Sequence, residues 1–337
     1  MLPVIWFFLL GLLLIGYAIL DGFDLGIGAL HLFSKGDRER RTLLNSIGPV
    51  WDGNEVWLVT GGGALFAAFP HAYATAFSGF YLAFMLLLFC LIFRAVALEF
   101  RSKEPWPWWR TTWDVAFALS SILASLLFGI AVGNMILGIP IGPDMEFAGS
   151  FLSLLSPYPI AVGLFNLSIF TLHGAIYLYL KTDGELAEKA RRWIWKSYFA
   201  FLAFYAIVTA WTLYAVPTMI ANFTHFPWAW VVVILNVLAI ANIPRALYHG
   251  MALRAFVSSA ATIAALVFLF GIGVYPNLIV SSLDPAFNLT LYNSASSDRT
   301  LGIMLVIALI GMPFVLAYTI SVYWVFRGKV KLDPFSY

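Results

Sequence analysis

The chain is a succession of apolar runs about twenty residues long, separated by short stretches that carry prolines and charges. Runs of that length cross a bilayer as helices, whereas the strands of a membrane barrel would appear as roughly ten-residue segments of alternating hydropathy. Nine helices are predicted, at about 4–32, 48–68, 73–99, 111–138, 157–180, 193–217, 227–245, 250–274 and 300–327. Breakers fall between them, among them Pro49, Pro70, Pro105, Pro107, Pro140, Pro157 and Pro217. Pro244 closes or kinks the seventh helix, and Pro313 lies inside the ninth and predicts a kink there. The fold class this pattern predicts is an all-α integral membrane protein. Residues 1–337 form one polytopic domain, with two four-helix bundles and the ninth helix to one side.

Composition agrees with the pattern. The chain is 62% hydrophobic and 11% charged, against about 25% charged residues in soluble domains, and its mean hydropathy is +0.89. A net charge of +2 gives no reason to expect a nucleic-acid partner. The lone cysteine, Cys90, excludes an intrachain disulfide and reads as a buried thiol. No basic stretch precedes the first apolar run, which is longer than the core of a cleavable signal, so that run is expected to stay as a span.

The basic residues set the orientation. Lys35, Arg38, Arg40 and Arg41 follow the first predicted helix, Arg94, Arg101, Lys103 and Arg110 end the third, and a further group runs from Lys181 to Lys196. With Arg245, Arg254 and the tail cations, eighteen of the nineteen fall on one side, and only Arg299 falls on the other. The positive-inside rule then puts the N-terminus outside and the C-terminus in the cytoplasm. The outer segment 275–299 is the longest polar connection and is expected to pack over the external surface.

Two acidic patches stand out against this background. Asp21 and Asp24 lie three apart on one helix face, with almost pure hydrocarbon on either side. Acids at membrane depth are expensive and face protein or water rather than lipid. Two close carboxylates in a low dielectric share a proton cheaply and so suit a relay. The structural alternative is that each pairs with an arginine or caps a helix, while Gly22, Gly26 and Gly28 let helices approach. Asp52 and Glu55 open the second helix. Asp52 there is suited to be an N-cap or a first-turn acid favoured by the helix dipole. All four carboxylates fall on the basic side, compatible with one polar pocket open to the cytoplasm and fed by Glu99 and Lys103, which are spaced for an ion pair.

Trp51 and Trp57 flank the second patch and read first as interfacial aromatics. Arg94, inside an apolar run, either snorkels out or pairs with a buried acid. Of five histidines only His173 sits well inside a predicted helix, and it reads as a hydrogen-bonded packing residue. No set of axial haem ligands, Cys-x-x-Cys-His, phosphate loop or metal cluster is legible, so no catalytic, cofactor-binding or metal-binding residue is assigned. Gly61-Gly62-Gly63 reads as a close helix contact.

The segments LDGFDLGIG, NSIGPVWDGNEVWLVTGGGALFAAFP, AFSGFY and FRAVALEFRSK, in this order and spacing, resemble subunit II of cytochrome bd-type quinol oxidases across the whole chain. The resemblance implies a membrane complex in the bacterial cytoplasmic membrane that oxidises quinol, reduces dioxygen to water and contributes to the proton gradient. It implies a partner subunit I that carries two haems b and one haem d, with no haem held here, and room for a small single-helix accessory subunit beside membrane lipid. Residue by residue, it places Asp24 and Asp52 on a proton-delivery route, Glu99 and Lys103 at its cytoplasmic mouth, and Trp57 and Arg94 facing subunit I near an oxygen route. Outside this family, a stand-alone ion-coupled transporter would need paired broken helices in two halves, and a purely structural subunit that only buries its partner would leave turnover of an intact complex unchanged on Asp52→Asn.

Overall fold

The computed structural model describes residues 1–332. Twelve α-helices form among them. Helix α1 (Leu2–Leu30) runs into a 3-10 turn at His31–Phe33. It is followed by α2 (Gly36–Ile47), α3 (Trp51–Ala68), α4 (Pro70–Gly79), α5 (Tyr81–Phe100) and α6 (Pro107–Leu137). Then come α7 (Pro157–Lys181), α8 (Gly184–Ala215), α9 (Thr218–His225), α10 (Ala229–Tyr248), α11 (Ala252–Val274) and α12 (Asp298–Val325). Eight of these, α1, α5, α6, α7, α8, α10, α11 and α12, are long and apolar enough to cross a membrane. The expected second span forms as α3 but is not among the eight, because Asp52, Asn54 and Glu55 crowd its first turns.

The departures from the predicted pattern have physical reasons. The predicted helix 73–99 is two helices, α4 and α5, broken at Phe80, whose backbone leaves the helical region beside a tightly packed Gly79. Helix α2 and the first turns of α8 are rich in charged residues, and hydropathy read them as links. Charged residues are good helix formers all the same. Helix α2 buries Leu43, Leu44 and Ile47, while its charged residues are exposed or only partly buried. Glu39 of α2 takes Lys189 of α8 at 2.6 Å. Burial opposes its charge, yet the bonds from Lys189 and the Lys35 backbone prevail and hold its carboxyl below the usual value.

Helix α1 is the axis of the molecule, packing against α3, α6, α7 and α11. Its glycines make that possible. A Cβ at Gly26 would lie 1.9 Å from the Phe170 carbonyl oxygen, and one at Gly174 2.6 Å from the Gly26 carbonyl carbon, so α1 and α7 cross backbone to backbone. Gly16 makes the notch that receives the Trp57 ring, only 2.3 Å from where a Cβ would stand. Of the triplet expected to make a close helix contact, only Gly61 is buried, where a Cβ would meet Leu13 and Leu14 of α1 at 3.9 Å. A Cβ at Gly62 or Gly63 meets nothing within 4 Å, so that face of α3 is open. Pro313 and Pro244 both lie within continuing helices.

On the side opposite the basic links, 275–299 folds over the helix ends as expected. Strands β1 (Asn277–Ile279) and β2 (Leu289–Thr290) pair antiparallel, Ile139 N–H donates to Val280 O, and Ser296 N–H donates to Ala68 O. On the basic side the chain after α12 is strapped to the α7–α8 link. Lys181 Nζ donates to the carbonyls of Phe326 and Gly328, Val330 N–H returns to Lys181 O at 2.9 Å, and Lys329 Nζ reaches Thr182 O at 2.8 Å. Helix α12 itself buries only Leu301 fully, so the strap is a main restraint on its C-terminal end. Lys181→Met is expected to expose Arg327 and Lys329 to trypsin severalfold faster than in the parent chain, read by limited proteolysis and mass spectrometry. An unchanged cleavage rate would mean that the strap does not hold the tail.

Candidate acidic site within the helix bundle

The site lies where α1, α3, α5 and α12 meet. Asp21 and Asp24 are fully buried, one turn apart on α1. Arg94, 1% exposed, comes from α5 and grips Asp21 with both ends of its guanidinium, Nη1 to Oδ2 at 2.9 Å and Nη2 to Oδ1 at 2.5 Å. The same Nη2 stands 3.4 Å from Glu55 Oε2 of α3. Of the two alternatives for Arg94, pairing with a buried acid is the one realised. The compensated charge needs no exit to the surface.

Asp24 is held differently. Asn54 Nδ2, on α3, donates to Asp24 Oδ2 at 2.8 Å and to the Leu20 carbonyl at 3.2 Å, and the Tyr323 hydroxyl of α12 donates to Asn54 Oδ1 at 2.7 Å. Asp24 Oδ1 is buried and meets no donor among the described residues. One carboxylate is therefore neutralised by an arginine and its neighbour is bound on one oxygen only. Such an arrangement can hold a proton on the open oxygen of Asp24 while keeping the negative charge of Asp21 in place.

The other predicted residues spread around this centre. Asp52 is exposed in the first turn of α3, the dipole-favoured position. Lys103 is exposed, and Glu99 half-buried at the end of α5. Trp57 and Arg94 were expected to face a partner. Instead Trp57 is 9% exposed against Leu13 and Tyr17, and Arg94 faces Asp21; both are turned into this chain. The interfacial reading of Trp57 fails for the same reason: Gly16 opens an interior slot for its ring.

Sequence reasoning missed Asn54 and Tyr323. Asn54 sits between two acids in WDGNEVW, which was a usable signal, but Tyr323 lies 269 residues further along and carried none. It also missed a second buried cluster on the basic side. Asp114 of α6 accepts from His31 Nε2 at 2.5 Å, Arg101 Nε at 2.6 Å and Arg40 Nη1 at 2.8 Å, while Arg101 also reaches Asp37 at 2.9 Å. These contacts tie α1, α2, α5 and α6 together at one end, a structural knot that leaves Asp114 saturated.

The histidines do not suit a haem. His173 is fully buried, with Nε2 facing the Ile19 carbonyl at 3.1 Å and Nδ1 facing Ser259 Oγ at 2.7 Å. A carbonyl only accepts, so Nε2 carries a proton, while Nδ1 meets a Ser259 hydroxyl that also lies 2.9 Å from the Phe256 carbonyl. The ring stacks on Phe256 at 4.8 Å, and both nitrogens are in use, as expected of a packing residue. His31 is spent on Asp114 and packed edge-on against Phe117. The other three are exposed at helix ends. Two clefts, of about 350 Å³ and about 20 Å³, are lined by no histidine, cysteine or methionine.

A multi-pass helical membrane protein with a charge-compensated acid pair at its centre, and with its buried histidines already engaged, is the class defined by this geometry. A family model for cytochrome bd terminal oxidase subunit II matches residues 2–326, and the chain belongs to that family. It is 35% identical to cytochrome bd-I ubiquinol oxidase subunit 2 of Escherichia coli K12, covering 98% of this chain and 96% of that one. It is 36% identical to cytochrome bd ubiquinol oxidase subunit 2 of Bacillus subtilis 168, covering 99% and 98%. A solved bd oxidase structure from Geobacillus thermodenitrificans shares the fold, with a TM-score of 0.79 at 20% identity over 97% of this chain and 98% of that one.

Proposed function

We propose that the chain is the non-haem-ligating subunit of a quinol:dioxygen oxidoreductase of the aerobic respiratory chain, in the bacterial cytoplasmic membrane, and that its buried acid site delivers protons from the cytoplasm for the reduction of dioxygen. In this reading α3 is a ninth span, the N-terminus is outside and the basic links are cytoplasmic. The two bundles are α1–α6 and α7–α11, and α12 lies to one side. The haems, two b and one d, and the quinol belong to the partner subunit I, in keeping with the engaged state of His173 and His31. A small accessory subunit and membrane lipid complete the assembly.

The observation that carries the reading is the asymmetry of the pair: Asp21 is neutralised by Arg94, and Asp24 has an open, buried oxygen. Asp24 is the proton-holding group, Glu55 stands beyond Arg94, and exposed Asp52 with Glu99 and Lys103 form the approach from the cytoplasm. Trp57 and Arg94 serve any oxygen route only indirectly, by shaping α1 and α3 behind the open glycine face.

The test is Asp24→Asn in the purified, haem-loaded complex. Oxygen uptake with a quinol is expected to fall tenfold or more, about 1.4 kcal/mol in barrier height or above, with unchanged visible bands. Undiminished turnover in an intact complex would remove Asp24 from the proton path. Haem bound by the purified chain alone would overturn its non-ligating role.

A further inference from the structure

We propose that Tyr323 of α12 is a positioning residue for Asp24, acting through Asn54; this rests on the reading of Asp24 as the proton-holding group. An asparagine amide has two N–H donors and one acceptor oxygen. Here one N–H goes to the Leu20 carbonyl, the other to Asp24 Oδ2, and the oxygen takes the Tyr323 hydroxyl proton. Every polar contact of Asn54, which is 1% exposed, is therefore assigned. The phenol is what lets the amide oxygen stay turned away from Asp24. Without it, that buried oxygen loses its donor and the amide loses its anchor on α12, so the Nδ2 bond that favours the charged form of Asp24 weakens and the protonated acid gains.

The placement of Tyr323 fits this role. It lies near the C-terminal end of α12 and, with Asn54, lines a cleft between Pro49, Val50 and Gly53 at the start of α3 and Thr319 and Val322 of α12. About 20 Å³ is accessible there, enough for one water beside Asn54. Helix α12 packs on α1 and α3 and is strapped at its C-terminal end by Lys181. The hydroxyl of Tyr323 thus reaches Asn54 from the least buried of the eight long apolar helices.

The groups that face Asp24 are Asp21 on its own helix, Asn54 from α3, Arg94 from α5, Tyr177 from α7 and Tyr323 from α12, while Glu55 of α3 stands against Arg94 and Asp52 is exposed. Helices α6 and α11 present Ser121 and Phe256 to this stretch of α1 and no charge. Arg94 is committed to Asp21, so Asn54 is the donor that Asp24 has, and Tyr323 is what orients it.

The experiment compares the purified two-subunit complex as wild type, Tyr323→Phe, Asp24→Asn and the double variant. Oxygen uptake and the thermal midpoint are each recorded against pH, with haem content as the check on assembly. Tyr323→Phe is expected to move both profiles toward higher pH by about half a unit or more when Asp24 is present, and to leave them unmoved in the Asp24→Asn background. Profiles that match wild type, or an equal shift without Asp24, would overturn the positioning role. Full uptake in Asp24→Asn would sink the proton-path reading alone, since the thermal profiles still report whether Tyr323 acts on Asp24. If Tyr323→Phe fails to assemble, Asn54→Ala takes its place and must move the profiles in the same direction.

Discussion

Arg94→Met is expected to cost the assembled protein about 3–5 kcal/mol, the usual result of removing one partner from a buried ion pair. The reason lies in what remains. Asp21 is fully buried and would keep its charge with no counter-ion, and Glu55 would lose its nearest cation. Adding Asp21→Asn to Arg94→Met removes the stranded charge, so the double variant should regain most of the loss. Thermal midpoints of the purified complex decide the matter. If the two single losses simply add in the double variant, the pair is not the unit described here. The cycle also bears on function, because Asp21→Asn/Arg94→Met keeps Asp24, Asn54 and Tyr323 in place. Oxygen uptake that survives in this stabilised double variant would assign proton handling to Asp24 and leave Asp21 as its structural counterweight.

How far this site could be read from the sequence depended on where its parts lie. The acids were legible because a carboxylate inside an apolar run is conspicuous, and Arg94 was legible for the same reason. Their pairing was open: nothing in the spacing of Asp21, Asp24 and Arg94 says which acid takes the guanidinium, and the choice is made by how α5 packs beside α1. Tyr323 was invisible, since a tyrosine near a helix end in a membrane protein is ordinary and its partner is remote in the chain. Trp57 misled for a related reason. Interfacial tryptophans are common, and only the notch at Gly16, a feature of two packed helices, turns this one inward. At the level of the fold, hydropathy located the eight long apolar helices but was blind to α2 and the start of α8, where amphipathic or charged turns are helical without being apolar. The predicted segment 73–99 joined two helices, because the break at Phe80 has no proline, and Ser78-Gly79 before it is a weak signal inside an apolar run.

Gly26→Ala is expected to be the most disruptive single-atom change in α1. Its new Cβ would stand 1.9 Å from the Phe170 carbonyl oxygen and 2.7 Å from the carbon that bears it. Both are backbone atoms, so no side-chain rotation relieves the overlap, and α1 must move off α7. Overpacking of this kind costs about 1–3 kcal/mol and sometimes more. Here the upper end is expected, because the same Cβ would also stand 3.0 Å from the Gly174 backbone nitrogen of α7. The movement also carries a functional cost. Gly26 is two residues from Asp24, so displacing this stretch of α1 lengthens the 2.8 Å bond from Asn54. Gly63→Ala is the control of identical chemistry, since its Cβ meets nothing within 4 Å in this chain. Thermal unfolding of the two variants in detergent, followed by helical circular dichroism, should separate them clearly, with Gly63→Ala close to the parent chain. Equal midpoints would mean that the α1–α7 crossing tolerates a methyl group and does not fix the position of the acid pair. If the midpoint falls only for Gly26→Ala, and oxygen uptake by the complex falls with it, the close crossing is what registers Asp24 against Asn54.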